Sequence, residues 1–169
     1  MRKQADPTLA GTDDPARYAM VELENIHDEA QVFEPIHRLL TGIDPARLRA
    51  ALAEVTVPSD GFPVTLVTQG AEETLQLDPA LGELPVGILQ PFLDRWLAEN
   101  PGAIDYIHGD ETARRLAQRP DAAALLLPAI GKSDFFRGIA LGGVLPRKTF
   151  SMGHAQEKRY YIEARKIVR

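Results

Sequence analysis

Residues 62–77, "FPVTLVTQGAEETLQL", hold two short runs of strand-forming residues that meet at Gln69 and Gly70. Two such runs joined by turn residues predict a β-hairpin. A helical pattern precedes the hairpin in "DPARLRAALAEV" (44–55), and another follows it in "LPVGILQPFLDRWLAEN" (84–100). Helices and strands therefore alternate along this part of the chain, which favours a mixed α and β fold.

Both helical patterns carry their own start or stop signals. Asp44 is an expected N-cap and Pro45 suits the first helical position. The second pattern stops at Asn100, and its Pro91 is expected in the first turns or at a kink. Apolar residues recur at helical spacing in the two segments: Leu48, Ala51, Leu52 and Val55, then Leu89, Phe92, Leu93, Trp96 and Leu97.

The remaining elements are shorter. Pro35 lies inside one strand-like run and lacks an N–H for a ladder, so we expect that run to be an edge strand or to bend into a turn. Predicted helices are 110–119, capped by Asp110, and 132–143, ended by Gly142 and Gly143. Predicted strands are 17–26, 31–40, 103–109, 121–130 and a closing strand at 158–168. The predicted class is α+β, a mixed or antiparallel sheet with several packed helices.

Length and composition indicate one globular domain. The chain has 169 residues, of which 44% are hydrophobic and 25% charged. We expect a flexible leader at residues 1–16 and a single domain at 17–169. Absence of cysteine excludes disulfides and thiolate nucleophiles. No apolar run is long enough to span a bilayer and no secretory signal pattern is present, so the predicted location is the cytoplasm without membrane attachment.

Positive charge is concentrated at the C-terminal end. Residues 146–169 contain seven Lys or Arg and two Glu, a net charge of +5. Since the whole chain has a net charge of −5, the other 145 residues have a net charge of −10. Such a segment can bind phosphate, nucleotide or nucleic acid, or it can pair with the acidic body of the protein. Tyr160 and Tyr161 lie among these charges, but neighbours on a strand face opposite sides, so we do not expect a nucleic-acid stacking platform.

Two small groups of residues carry the candidate ligand site. His37 and Arg38 combine a titratable ring with a permanent cation that suits a carboxylate or phosphate; alternatively His37 is structural and Arg38 pairs with Glu34 or a distant acid. The turn in "LPRKTFSMG" offers charged and hydroxyl donors to an oxyanion, or is an ordinary basic loop. Its candidate donors are Arg147, Lys148, Thr149 and Ser151. The four histidines show no metal-ligand spacing, and no metal site or catalytic residue is predicted.

Several blocks resemble the C-terminal part of the bacterial proteins grouped as domain of unknown function 1015: "RYAMVELENIHDEAQVFEPIHRLL", "LPVGILQPFLDRWL", "AIDYIHGDE", "ALLLPAIGKSDFF" and "GVLPRKTFSMGHAQEKRYYIEARK". The resemblance covers residues 16–166. It implies a missing N-terminal half as partner, because members are usually longer and carry upstream an Asp-Gly-His/Asn-His type motif. That half resembles the ParB and sulfiredoxin-like fold of some nucleotide-dependent free-serine kinases.

Residues of the candidate ligand site match sequence blocks of this family. His37 and Arg38 match the family's Pro-x-His-Arg block. Its Pro-x-Lys-Thr or Pro-Lys-Ser-Thr block is matched by Arg147, Lys148 and Thr149. The predicted function is a non-catalytic or partner-dependent module that binds an anion, with phosphate or nucleotide as the expected ligand. The alternative is part of a free-serine-like kinase of ParB and sulfiredoxin kinship. A domain without its partner half exposes apolar surface, so we also expect self-association, as in a homodimer.

Overall fold

The computed structural model describes Leu23, Asn25, residues 27–29 and residues 32–152. Its strands are β1 (Phe33–Thr41), β2 (Thr56–Val57), β3 (Phe62–Thr68), β4 (Ala71–Leu77), β5 (Ala103–His108), β6 (Ala122–Leu126) and β7 (Phe150–Met152). Its α-helices are α1 (Pro45–Ala51), α2 (Pro85–Glu99), α3 (Asp110–Leu116) and α4 (Lys132–Gly142), with 3₁₀ turns at Leu52–Val55 and Pro79–Leu81. The expected strands at 17–26 and 158–168 and the leader at 1–16 lie outside the described residues.

The strands of the described residues form one seven-stranded antiparallel sheet. Its order is β2, β4, β3, β6, β1, β5, and β7 pairs with the first residues of β1. Every strand pair is antiparallel. The α+β class with an antiparallel sheet is thereby confirmed. Within the described part of the chain, no helix has the length and apolar character needed to cross a membrane.

Helices cover both faces of the sheet. Leu40 of β1 lies in the larger apolar cluster, together with side chains of α1 and α2. Leu39, the preceding residue, lies in a smaller cluster with Ala113 of α3. Successive residues of a strand point to opposite faces, so β1 has α1 and α2 above one face and α3 below the other. All five residues of β6 are buried, as expected for a central strand covered on both sides.

The turn signal of the hairpin and the cap signal of α1 are confirmed. Thr68 pairs with Ala71 across the hairpin turn, where Gly70 has φ 71°. The Asp44 carboxylate accepts the N–H groups of Ala46 and Arg47, and Pro45 begins α1. These features are local to the sequence, which is why their positions match the prediction.

Three expectations need correction or refinement. β1 continues past Pro35 to Thr41 and pairs there with both β5 and β6, so neither the expected edge strand nor the expected bend into a turn is seen. Pro35 is tolerated because it lies in the section of β1 that pairs with β7 alone among the described strands. Pro91 lies inside α2, which continues to Glu99. Asp110 does not cap α3: Gly109 holds that position with φ 92°, and the Asp110 carboxylate instead contacts His37.

Candidate functional site

His37 and Arg38 are neighbours in sequence but lie on opposite faces of the sheet. His37 faces α3, where it contacts Asp110, and Arg38 faces α2, where it contacts Gln90. Both side chains are buried, with 1% and 0% of their surface exposed. The two residues therefore do not form one ligand site, and each has to be assessed with the residues around it.

Both ring nitrogens of His37 have a partner. The backbone N–H of Leu127 donates to Nδ1 (3.2 Å), so Nε2 carries the hydrogen and donates it to Asp110 Oδ1 (2.8 Å). Burial lowers the pKa of His37, although the Asp110 carboxylate acts in the opposite direction. The neutral ring thus joins the end of β6 to the start of α3, and neither nitrogen is left for a ligand.

Asp110 connects the buried His37 to charged side chains at the surface. It accepts a hydrogen bond from Arg114 (3.1 Å), which also binds Glu72 of β4 (3.0 Å). Partial burial acts to raise the pKa of Asp110, but the hydrogen bonds from His37 and Arg114 outweigh it and the pKa is lowered. From Asp110 through Arg114 to Glu72 the charges alternate, and together with the neutral His37 these contacts attach α3 to the sheet.

The hydrogen-bond partners of Arg38 are neutral groups, and the Asp94 carboxylate acts on its charge from beyond Gln90. Its Nε donates to Gln90 Oε1 (2.9 Å), and its Nη1 donates to the carbonyl oxygens of Ile36 and Lys148, the latter at 3.0 Å. The guanidinium lies over the Tyr106 ring, 5.1 Å from its centroid. Gln90 is held in turn, because its amide donates to Asp94 Oδ1 (2.8 Å). α2, β5 and the turn at 146–149 thus meet at Arg38.

The guanidinium of Arg38 is incompletely satisfied. Among the described residues, its Nη2 is buried and has no hydrogen-bond partner. None of the ion pairs between described residues includes Arg38. Burial lowers its pKa to about 10, so the group still carries its charge at neutral pH. A buried cation with neutral partners is costly, and this one leaves a donor for an anion.

The turn at 146–149 brings a further cation, Arg147, to the same place. Arg147 Nε donates to the Tyr106 hydroxyl (3.2 Å), and its guanidinium is 5.4 Å from the centroid of that ring. Lys148 lies next to it, with its own carbonyl on Arg38. The Thr149 hydroxyl donates to the Pro146 carbonyl and so closes the turn. We call Arg38, Gln90, Tyr106, Arg147 and Lys148 the Arg38 site.

The structure thus gathers some of the predicted residues and separates others. Arg38, Arg147 and Lys148 come together, with Thr149 shaping the turn. Ser151 is buried in β7 opposite Glu34, outside the Arg38 site. His37 is on the other face. The alternative that Arg38 pairs with Glu34 is not seen, because Glu34 contacts His108 of β5.

Two residues of the site were missed in the sequence. Tyr106 is directly opposite Arg38 in the antiparallel register of β1 and β5, and Gln90 approaches from α2. Gln90 stands in an otherwise apolar part of α2, with Leu89 before it and Phe92 after it, and is itself buried. A buried glutamine needs a polar partner, so this position was a signal that could have been used.

Comparison with known proteins gave no match. No family model, no curated protein and no solved structure matches the chain. The resemblance to the domain of unknown function 1015 proteins therefore stays a prediction. Among the described residues there is also no group of three or more His, Asp or Glu side chains that could hold a metal ion.

The expected self-association also stays a prediction. Large apolar side chains are exposed on and after α4, among them Phe136 (59%), Leu141 (64%) and Val144 (98%). Exposed apolar surface of this kind is where a partner can bind, but nothing seated on it identifies one.

Proposed function

We propose that this chain is an anion-binding module, and that the Arg38 site holds phosphate or the phosphate group of a small molecule. The observation that carries the proposal is the buried, charged Arg38, whose Nη2 has no partner among the described residues. A guanidinium binds oxyanions through short, charge-assisted hydrogen bonds. An oxyanion at Nη2 would supply the negative charge that the surrounding carbonyl groups lack.

The number of cations favours a multiply charged anion. Arg147 and Lys148 are exposed and, like Arg38, take part in none of the ion pairs between described residues. A single carboxylate would balance one of the three charges, whereas a phosphate dianion balances two. The Tyr106 ring supports both guanidinium groups through its π face or its hydroxyl.

The groups at the site support binding and positioning. The Arg38 site consists of guanidinium, ammonium, amide and phenol side chains, and its guanidinium and ammonium groups bind oxyanions without forming a covalent bond to them. We therefore propose a binding module, whose ligand or partner determines any chemistry.

Calorimetric titration with inorganic phosphate at constant ionic strength tests this proposal. We expect saturable binding at one site, and about tenfold or greater loss for Arg147→Ala or Lys148→Ala, since a hydrogen bond to a charged group contributes about 1.5–3 kcal/mol. Sulfate and malonate titrations separate phosphate from other dianions. Arg119→Ala is the matched control, because Arg119 is an exposed arginine that pairs with Asp121 outside the site.

Two results would contradict the proposal. One is heat that never saturates and disappears at higher salt, which indicates general attraction to positive charge. The other is equal loss of affinity in Arg119→Ala and Arg147→Ala, which would show that the effect depends on net charge alone. Both exposed variants are expected to fold, so neither result can be attributed to unfolding.

A further inference from the structure

The turn at 146–149 lies against the guanidinium group that the proposed anion must reach, with the Lys148 carbonyl on Nη1, next to the unpartnered Nη2. Arg38 has no exposed surface, and the Lys148 carbonyl occupies its Nη1 at 3.0 Å. Arg147 of the same turn lies on the Tyr106 ring that Arg38 also contacts. An anion in solution therefore cannot contact Arg38 unless a segment packed on it moves, and among these segments the turn at 146–149 carries the exposed residues Arg147 and Lys148.

The same turn contains an unfavourable backbone conformation. Lys148 has φ 56°, in the left-handed region that residues with a Cβ rarely adopt. Two contacts hold it there: its carbonyl accepts from Arg38, and the Thr149 hydroxyl donates to the Pro146 carbonyl. Strain of this kind persists only where neighbouring contacts impose it, and it is frequent at sites that close over ligands.

We propose that residues 146–149 form a strained lid over the Arg38 site, an inference that rests on the proposed function. In the closed form, the Lys148 carbonyl accepts a hydrogen bond from Nη1 of Arg38; in the open form, an anion at the adjacent Nη2 takes this hydrogen bond as well. Opening loses this hydrogen bond but relieves the strain at Lys148, so the two forms are close in free energy. Phosphate shifts the balance because it binds the open form alone.

The lid makes a specific prediction about glycine at position 148. Lys148→Gly and Lys148→Ala both remove the ammonium group, but glycine alone removes the strain of the closed form. Apparent affinity is proportional to the fraction of open protein. We therefore expect phosphate to bind Lys148→Gly about fivefold more weakly than Lys148→Ala, and the glycine variant to be the more stable of the two without phosphate.

Asp60 provides a matched control, because it is the other described non-glycine residue with positive φ, at 60°. Asp60→Gly and Asp60→Ala are expected to differ in stability but to bind phosphate equally. Equal affinities of the two Lys148 variants would overturn the lid even if their stabilities differ, since the strain would then be purely structural. No phosphate binding by the unchanged protein would instead refute the proposed function, and the lid with it.

Exchange of the Arg38 Nε hydrogen gives a second measurement that needs no ligand. This hydrogen is buried and bonded to Gln90, so it exchanges with water when the site opens. Nitrogen-15 NMR is expected to show about fivefold slower exchange in Lys148→Gly than in Lys148→Ala. Equal rates would contradict the lid even if both variants bind phosphate too weakly to measure.

Discussion

His37 provides a sharp test of the packing around β1. Replacing it with leucine keeps an apolar body in a site that is 1% exposed, but removes both of its hydrogen bonds. The Leu127 N–H would then be buried without an acceptor, which costs about 1–3 kcal/mol. Asp110 is 57% exposed, so water replaces its lost partner and that loss adds about 0–1 kcal/mol. We expect His37→Leu to lower the free energy of unfolding by about 2–3 kcal/mol.

Two further variants separate the contributions. His37→Asn places an amide oxygen near the position of Nδ1, so it can still accept the Leu127 N–H while losing Asp110. Asp110→Asn keeps an acceptor for the ring. Urea denaturation at pH 7 is expected to give the largest loss for His37→Leu, about half that loss for His37→Asn, and less than about 1 kcal/mol for Asp110→Asn.

The order of the three variants is the decisive result. If His37→Leu unfolds within about 0.5 kcal/mol of the unchanged protein, the Leu127 N–H is not buried as the structure has it. If Asp110→Asn costs as much as His37→Leu, the exposed contact contributes more than the buried one. Either outcome would refute the reasoning that makes His37 a structural residue.

Four more predictions follow from individual contacts. Burial lowers the pKa of His37, so the unfolded chain binds that proton more readily, and stability should rise with pH from the lowered pKa up to the ordinary value of 6.5 and then level off. Urea denaturation at pH values from 5 to 8 measures this rise. Its absence would indicate that His37 is exposed. The lowered pKa of Asp110 predicts a further loss as pH falls below 3.8 through that pKa, which acid denaturation of Asp110→Asn should lack. Gly102→Ala should cost about 1–3 kcal/mol, since φ is 130° and the new Cβ overlaps Ile43; thermal unfolding unchanged by this substitution would contradict the close approach. Arg147→Ala should shift stability by less than about 1 kcal/mol while weakening phosphate binding, and a larger shift in calorimetric unfolding would favour a structural role.

The sequence predicts those parts of the fold whose signals are local. Asp44 and Pro45 mark the start of α1, and Gln69 with Gly70 marks the hairpin, because cap and turn preferences act over a few residues. Pro35 was misinterpreted because its cost depends on which strands pair beside it. β5 and β6, the partners that make β1 an interior strand, come more than about 60 residues later, and no local pattern specifies that pairing.

Only part of the candidate site could be predicted, because some of its contacts also depend on how distant segments pair. Period-two alternation along a strand already separates His37 from Arg38, so their opposite faces could have been predicted from the sequence. The meeting of Arg38 with Tyr106 could not, because it depends on the register of β1 against β5. The contact with Lys148 depends on a turn more than a hundred residues away, as the separation of 110 positions shows.

The most direct test of the central claim is the Arg38 Nε–H signal in nitrogen-15 NMR during a phosphate titration at constant ionic strength. This buried N–H donates to Gln90, and the adjacent Nη2 is the nitrogen at which the anion is proposed to bind. We predict a saturable shift of the Arg38 signal with phosphate, absent with chloride, at the same concentration that saturates the calorimetric heat. An unmoved Arg38 signal, together with a shift of the exposed Arg147 alone, would contradict the account and limit phosphate to the surface.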